Sequence, residues 1–180
     1  NRGINFVNKS KACNAVMKTA ASKLNLMDHE VKGIKDVSSS HTTCSCEIKI
    51  FRGPETTNEF YAKDFWLAIP AEDPMMTPHL PNVPRQQSTF WRLLRPEFVQ
   101  HFKKPLSANA FNMLTAESSD RDKQLENIRD ATNHLINEVI PSFLNEISER
   151  DFLLSVAHGL GLDLSRELHT RGISLRHMGY

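Results

Sequence analysis

The sequence lacks an excess of one charge, a long apolar run and a rich supply of cysteine. Its 180 residues carry 22 Lys+Arg against 21 Asp+Glu, a formal net charge of +1, which excludes a polyelectrolyte. No apolar run approaches the roughly 20 residues that cross a bilayer, so we expect no membrane insertion. The 7 Gly and 9 Pro are close to average usage, which excludes wholesale disorder and collagen-like repeats.

The 3 cysteines are Cys13, Cys44 and Cys46, an odd number that builds no disulfide framework. Their scarcity favours a reducing compartment, and we expect a cytoplasmic protein. Cys44 and Cys46 share one predicted strand face, where they are expected to be small buried apolar residues unless a third ligand completes a soft-metal site. The 8 histidines offer no ligand pair four residues apart, so we expect neither metal nor cofactor.

Helical spacing of apolar residues predicts a helix near the start of the chain. Ser10 is placed to accept hydrogen bonds from the first free backbone amides, and Asn25 is expected to end the helix. The apolar positions are Cys13, Val16, Met17, Ala20 and Leu24.

A period of two follows, which is typical of a half-buried strand. Cys44, Cys46, Ile48 and Ile50 fall on one side of that strand, with polar residues on the other. Phe, Tyr, Phe and Trp within residues 59–67 predict a second strand, and the intervening Gly-Pro region predicts a turn. We therefore expect an antiparallel hairpin with a loose loop.

Prolines then interrupt any regular ladder, at Pro70, Pro74, Pro78, Pro81 and Pro84. This density of missing amide donors predicts an irregular crossover. Beyond it, Pro96 suits the first turn of a helix. The apolar series from Leu125 to Ile147 predicts a long helix, which Pro141 is expected to kink or divide.

The last residues predict a helix, a chain reversal and a second cap. Asp163 can cap a helix that Gly172 ends in the left-handed conformation. Ile173 is then expected to touch Leu168, the hydrophobic contact of a Schellman ending, and Ser174 to cap another helix.

Together these patterns predict an α+β fold: an N-terminal helix and antiparallel β-hairpin, a proline-rich crossover and a helical C-terminal half. We expect two subdomains, residues 1–87 with the hairpin and residues 88–180 helical. The chain starts at Asn1 and stops at Tyr180 inside an apparent motif, so we expect a piece of a larger multidomain protein.

Four segments, in order, resemble the clustered mitochondria (Clu) family. Residues 168–179 read Leu-His-Thr-Arg-Gly-Ile-Ser-Leu-Arg-His-Met-Gly, similar to the family's His-x-Arg-Gly-Ile-Asn-x-Arg-Tyr-Leu-Gly, with Ser174 for Asn and His177 for Tyr. The other three segments are residues 17–31 with Ala-Ala-Ser-Lys-Leu-Asn-Leu, residues 60–74, and residues 93–99 with Leu-Leu-Arg-Pro-Glu-Phe-Val. The chain thus resembles a divergent member of the family, in the C-terminal part of its central Clu domain.

The resemblance implies a function that composition does not. It implies a cytosolic, non-enzymatic protein of mitochondrial distribution that binds messenger RNAs for mitochondrial proteins and associates with translation. The expected partners are mRNA, ribosome-associated proteins and other domains of the parent chain. A second hypothesis, from another class, is a purely structural protein–protein interaction domain.

For RNA binding the candidate surface is basic, because clustered cations contact phosphates. It comprises Arg92, Arg95, Lys103 and Lys104 near the middle, and Arg166, Arg171, Arg176 and His177 near the end. The rings available to stack on bases are Trp91, Phe90 and Tyr180. The same cations could instead form solvated faces or fix helix ends, and Arg176 could pair with Asp163 or Glu167.

Asp64 is the strongest candidate for enzyme chemistry. Strand alternation places its carboxylate on the apolar side of Phe60, Ala62 and Trp66, where it needs a partner or a chemical role. The alternative is a structural salt bridge or a hydrogen bond to a loop amide. No phosphate-binding glycine loop, nucleophile elbow or HExxH motif accompanies it, so a degenerate catalytic domain is the third hypothesis.

Overall fold

The computed structural model describes residues 10–32, 39–43, 45, 48–54, 59–80, 89–157 and 163–178, with the backbone alone for 151–157. Cys44, Cys46, Tyr180 and the predicted subdomain boundary at residues 87 and 88 lie outside the described residues. What the sequence predicts for them stays a prediction.

The described residues form helices and two small antiparallel sheets. The helices are α1 Lys11–Lys23, α2 Pro96–His101, α3 Arg121–His134, α4 Ile140–Ala157 and α5 Leu164–Thr170. The strands are β1 His29–Lys32 paired with β2 Ser39–Thr42, and β3 Lys49–Arg52 paired with β4 Phe60–Lys63. Short 3-10 turns span Phe65–Ala68, Phe90–Arg92, Met113–Thr115 and Leu175–His177. The predicted α+β fold with a helical C-terminal half is confirmed.

Helix α1 begins and ends where its sequence predicts. The Ser10 hydroxyl accepts a hydrogen bond from the amide of Cys13 at 3.3 Å. Asn25 takes a positive φ of 54° beyond the helix. Its side-chain amide then donates to the carbonyls of Val99 at 2.9 Å and Phe102 at 2.7 Å. Asn25 thus supplies hydrogen-bond donors to carbonyls at the end of α2 that have no partner within that helix.

The predicted hairpin is present but shorter than its alternating pattern. Strand β3 begins at Lys49 and β4 ends at Lys63, with Phe51 opposite Tyr61. Residues 65–68 form a 3-10 turn rather than a continuation of the strand. The aromatic run therefore divides between a strand and a turn.

The sheet of β1 and β2 is absent from the predictions, because neither segment has a run of alternating apolar residues. Hydrogen bonds to residues far along the chain stabilise this sheet. The amide of Glu30 donates to the Asp120 carboxylate at 3.1 Å, and the hydroxyl of Ser119 donates to the Glu30 carboxylate at 2.8 Å. These reciprocal bonds join β1 to the start of α3, where the amide of Ser119 also donates to the Glu30 carboxylate at 2.6 Å.

The predicted division of the long helix near Pro141 is confirmed. The long helical pattern divides into α3 and α4, separated by a π-helical segment from Leu135 to Val139. Proline has no amide to donate, and its ring crowds the carbonyl four residues earlier, here that of Asn137. The wider π turn relieves that crowding.

The chain reversal after α5 is the predicted Schellman ending. Asp163 caps the helix, its carboxylate accepting from the amide of Arg166 at 3.1 Å. Gly172 has φ +71°, and the amide of Ile173 donates to the carbonyl of Leu168 at 2.9 Å. Leu168 and Ile173 are both fully buried. The helix stop is thus confirmed, and both residues belong to one buried hydrophobic cluster.

The role predicted for Ser174 is wrong. The 3-10 turn Leu175–His177 follows it, but its hydroxyl caps no amide there. The oxygen accepts instead from the Arg176 guanidinium at 3.1 Å, because the tight turn brings that side chain back over Ser174.

One hydrophobic cluster includes residues from most of the helices. Its buried members are Ala21, Leu26, Ala68, Ile69, Leu94, Phe98, Val99, Phe102, Leu106, Ala110, Ile128, Ala131, Leu135, Phe143, Leu168 and Ile173. Two of its members, Leu26 and Leu106, form an isolated parallel bridge. The cluster combines residues before and after the proline-rich crossover.

A buried histidine lies beside this core. His29 Nδ1 donates to the carbonyl of Met27 at 2.9 Å, and Nε2 accepts from the side-chain amide of Asn109 at 2.6 Å. Both bonds require the neutral ring, with the tautomer assigned from the hydrogen bonds. Burial lowers the pKa of His29 below its ordinary value of 6.5, in agreement with this arrangement.

Replacing Gly172 with Ala should strongly destabilise the fold. An added Cβ would lie 2.5 Å from Cβ and the amide nitrogen of Phe98, and it would also strain the positive φ. We expect a loss of more than about 2 kcal/mol in the free energy of unfolding, measured by urea denaturation. The control Gly53→Ala, at a negative-φ position, should change it by less than about 0.5 kcal/mol. Equal effects would contradict the close approach at Gly172.

Stability should fall as the solution becomes acidic. Because the pKa of His29 is lower in the folded state than its ordinary 6.5, the unfolded chain takes up the proton first. The free energy of unfolding should therefore decrease as the pH falls below about 6.5. His29→Gln should reduce this slope, whereas His101→Gln, at an exposed position, should not. Parallel slopes in all three proteins, from denaturation at several pH values, would argue against a buried neutral His29.

Candidate functional site

The C-terminal turn places two residues of the predicted RNA surface on a buried carboxylate. The Glu72 side chain is 0% exposed, and its Oε1 accepts from Arg176 Nη2 and from His177 Nε2, the latter at 3.0 Å. Arg176 Nη2 also donates to the carbonyl of Leu93 at 2.8 Å. The suggested pairing of Arg176 with Asp163 or Glu167 is wrong, because the reversal at Gly172 directs the guanidinium to Glu72.

A second histidine extends this cluster. His79 Nε2 lies 3.3 Å from His177 Nδ1. One of these two ring nitrogens donates to the other, and the tautomers decide which. The pKa of His79 is lowered, first by burial and then by His177. The resulting Glu–His–His chain is chemically capable of moving protons, but Glu72 and His177 are both enclosed.

Asp73, next to Glu72, is also committed to the fold. Its carboxylate accepts from Arg129 Nε at 3.1 Å, and its amide donates to the Thr132 hydroxyl at 2.9 Å. Both partners belong to α3. The two successive acidic residues therefore attach the crossover to the C-terminal turn on one side and to α3 on the other.

Arg92 is another predicted RNA contact that the fold encloses. The residue is 1% exposed. Its Nε donates to the Thr77 hydroxyl at 3.0 Å and its Nη2 to the carbonyl of Leu80 at 3.3 Å. A guanidinium held in this way satisfies backbone in the proline-rich crossover and does not reach a phosphate in solution.

The remaining predicted cations differ in their partners. Three form ion pairs within the chain: Arg95 with Glu97 at 2.9 Å, Lys104 with Asp130 at 2.5 Å, and Arg171 with Glu146. Lys103 and Arg166 are exposed and take part in no ion pair among the residues that the structure describes. RNA contact by these five residues stays a prediction.

The predicted stacking rings lie at the surface. Trp91 is 66% exposed and Phe90 is exposed beside it. Phe90 meets Trp66 edge to face, with ring centroids 5.5 Å apart. The two 3-10 turns that carry these rings thus form one aromatic surface.

Asp64 does not occupy the strand position expected of it. Strand β4 ends at Lys63, and Asp64 has a φ of 60°, in the left-handed region. Its backbone carbonyl accepts from the amide of Leu67 at 3.0 Å, while its side chain caps no helix. The carboxylate is therefore part of a turn and does not face an apolar strand surface, because the aromatic run changes from strand to 3-10 turn.

The hairpin also has an exposed face that is not among the predicted sites. Phe51 and Tyr61 lie opposite each other and are 53% and 55% exposed. Lys49 lies opposite Lys63 on the same face, and both are exposed. Alternation alone carries this signal, since Lys49 and Phe51 are two residues apart, as are Tyr61 and Lys63.

Among the described residues, no group of three or more His, Cys, Asp or Glu side chains is arranged to hold a metal ion. None of the helices in this part of the chain combines the length and apolar character needed to cross a membrane.

Comparison with known proteins gives one similarity. Over 85 residues, 45% of this chain, the sequence is 29% identical to a clustered mitochondria protein homolog of Neurospora crassa. The match covers 6% of that relative, so the chain spans a small part of its length. No protein-family model and no solved structure matches. The similarity supports a relationship to the Clu family suggested by the sequence motifs.

Removing the guanidinium of Arg176 should destabilise the protein far more than removing an exposed one. Arg176→Ala leaves the buried Glu72 carboxylate without its main cationic partner. We expect a loss of about 3–5 kcal/mol in the free energy of unfolding, from urea denaturation. The matched control Arg166→Ala removes an exposed guanidinium and should cost less than about 0.5 kcal/mol. A small effect at Arg176 would mean that this pair does not hold the C-terminal turn.

Proposed function

We propose that this chain is a Clu-like domain of a larger cytosolic protein of mitochondrial distribution, and that it binds RNA in association with translation. The observation that carries the proposal is its similarity to the fungal clustered mitochondria protein homolog. The chain resembles only a small part of that protein. The role in mitochondrial distribution therefore belongs to the parent protein, to which this domain contributes a binding surface.

A binding role without catalysis agrees with the way the charged groups are used. The side chains best suited to acid–base chemistry, those of Glu72 and His177, are enclosed and bonded to each other. A general acid or base must come within hydrogen-bonding reach of its substrate. Here the same groups hold the C-terminal turn against the crossover.

RNA binding agrees with the surface that the fold leaves exposed. The side chains of Trp91 and Phe90 are exposed, and exposed aromatic rings are what unpaired bases stack on. Lys103 adds an exposed cation without an ion-pair partner in the described part of the chain. A net charge of +1 fits a domain with a local binding patch rather than a uniformly basic one.

A purely structural interaction domain is the second candidate. The aromatic surface of Trp66, Phe90 and Trp91 also suits apolar contact with another domain of the parent protein. Association of that kind is driven by apolar burial, so it depends little on salt. RNA binding depends strongly on salt, because phosphate contacts release counterions.

The experiment is a titration of the whole chain against a labelled single-stranded RNA of about 15 nucleotides, followed by fluorescence anisotropy. We expect measurable binding at about 50 mM salt, and a logarithm of the association constant that falls linearly with the logarithm of salt concentration. Each phosphate contact contributes about −0.7 to that slope on a single strand. Failure to bind between about 50 and 150 mM salt would contradict the RNA-binding proposal and favour the structural alternative.

A further inference from the structure

The outward face of the β3–β4 hairpin carries four exposed side chains that the fold does not use. Register sets Lys49 opposite Lys63 and Phe51 opposite Tyr61, and all four are exposed. Because side chains alternate along a strand, paired residues such as these share one face. We call Lys49, Phe51, Tyr61 and Lys63 the hairpin face.

The opposite side of the hairpin differs from this face. Four residues alternate with the members of the hairpin face: Ile50 and Phe60 are half-buried, and Arg52 and Ala62 are exposed. They therefore lie on the less exposed side of the two-stranded sheet, and the rings of Phe51 and Tyr61 project from the more exposed one. Two aromatic side chains more than half exposed in this way have little part in the hydrophobic core.

The two lysines of the hairpin face form a positively charged site that suits an anion. Like charges directly opposite each other on neighbouring strands destabilise a sheet, and Lys49 and Lys63 form such a pair. Neither ammonium group takes part in an ion pair among the described residues. A phosphate placed between them would relieve the repulsion and be held by both donors.

Glu59 brings the opposite charge to the turn end of the hairpin. Its carboxylate accepts from the Tyr61 hydroxyl at 2.7 Å, which anchors the edge of the ring. This bond raises the pKa of Tyr61, so the ring stays neutral at physiological pH. The cationic end and the carboxylate end of the face are thus separated by the two rings, and a polyanion is directed to the lysines.

We propose that the hairpin face binds single-stranded RNA, with bases stacking on Phe51 and Tyr61 and backbone phosphate held by Lys49 and Lys63. This site rests on the RNA-binding function proposed above; it adds a second surface to that of Trp91 and Phe90 and specifies the form of RNA. Aromatic platforms flanked by cations bind unpaired strands because every base has a face that can stack. Duplex RNA keeps its bases stacked on each other and offers none to the rings.

The test compares variants of the whole chain in binding to a labelled oligouridylate of about 15 nucleotides. Phe51→Leu and Tyr61→Leu remove the stacking faces but keep apolar side chains, and each should weaken binding about fivefold or more. Tyr61→Phe keeps the ring but loses the hydrogen bond to Glu59, so it should bind the RNA more tightly than Tyr61→Leu does. Circular dichroism spectra that match the unchanged chain establish that each variant is folded.

The lysines are tested by the salt dependence of binding. The double variant Lys49→Gln with Lys63→Gln should reduce the steepness of the logarithmic salt slope by about 1.4, from two lost phosphate contacts. The control Lys18→Gln with Lys23→Gln removes the same charge from exposed positions of α1 and should leave the slope unchanged. A duplex of the same length should bind more weakly than the single strand.

The results separate the site from the function. If the unchanged chain binds the RNA and the hairpin variants bind equally well, the hairpin site is wrong while RNA binding stands. Equal affinity for single strand and duplex would likewise overturn base stacking. If the unchanged chain binds no RNA, the proposed function fails and this site fails with it.

Discussion

The close approach of Gly172 to Phe98 is the constraint on which the C-terminal half depends. With no Cβ, Gly172 places its backbone against α2 in a conformation that other residues rarely adopt. The reversal buries Ile173 and directs the next turn to the crossover. There Arg176 and His177 meet Glu72, a carboxylate whose burial is tolerable only because these partners are supplied.

This use of charge explains why composition is a poor guide to the binding surface. Most of the basic residues near the middle and the end of the chain are already bonded to carboxylates or carbonyls, and Arg92 is buried. Arg92 donates to the Thr77 hydroxyl and the Leu80 carbonyl and so supplies hydrogen bonds that the proline-rich crossover lacks. The hairpin face, by contrast, has rings and ammonium groups that contribute little to the core. Both sets of residues contain cations. Most of those near the middle and the end of the chain are bonded within the fold, whereas the lysines of the hairpin face take part in no ion pair among the described residues.

Local rules predicted the elements that depend on local chemistry. The cap at Ser10, the helix start at Pro96, the division near Pro141 and the stop at Gly172 follow from which backbone donors and conformations those residues permit. The β1–β2 sheet has no such signal, because bonds from Glu30 to the start of α3 stabilise it. At Asp64 the alternating pattern predicts a strand where there is none, because β4 ends at Lys63.

Local sequence patterns set the α+β character, the ends of the helices and the alternation that puts one ring and one lysine on the same side of each hairpin strand. Tertiary structure alone decided which cations are enclosed and which face of the hairpin is exposed. The physical reason is that capping and periodicity act over a few residues along the chain. Burial and ion pairing depend on residues far apart in sequence, as Glu72 and Arg176 are, and only the packed chain brings them together.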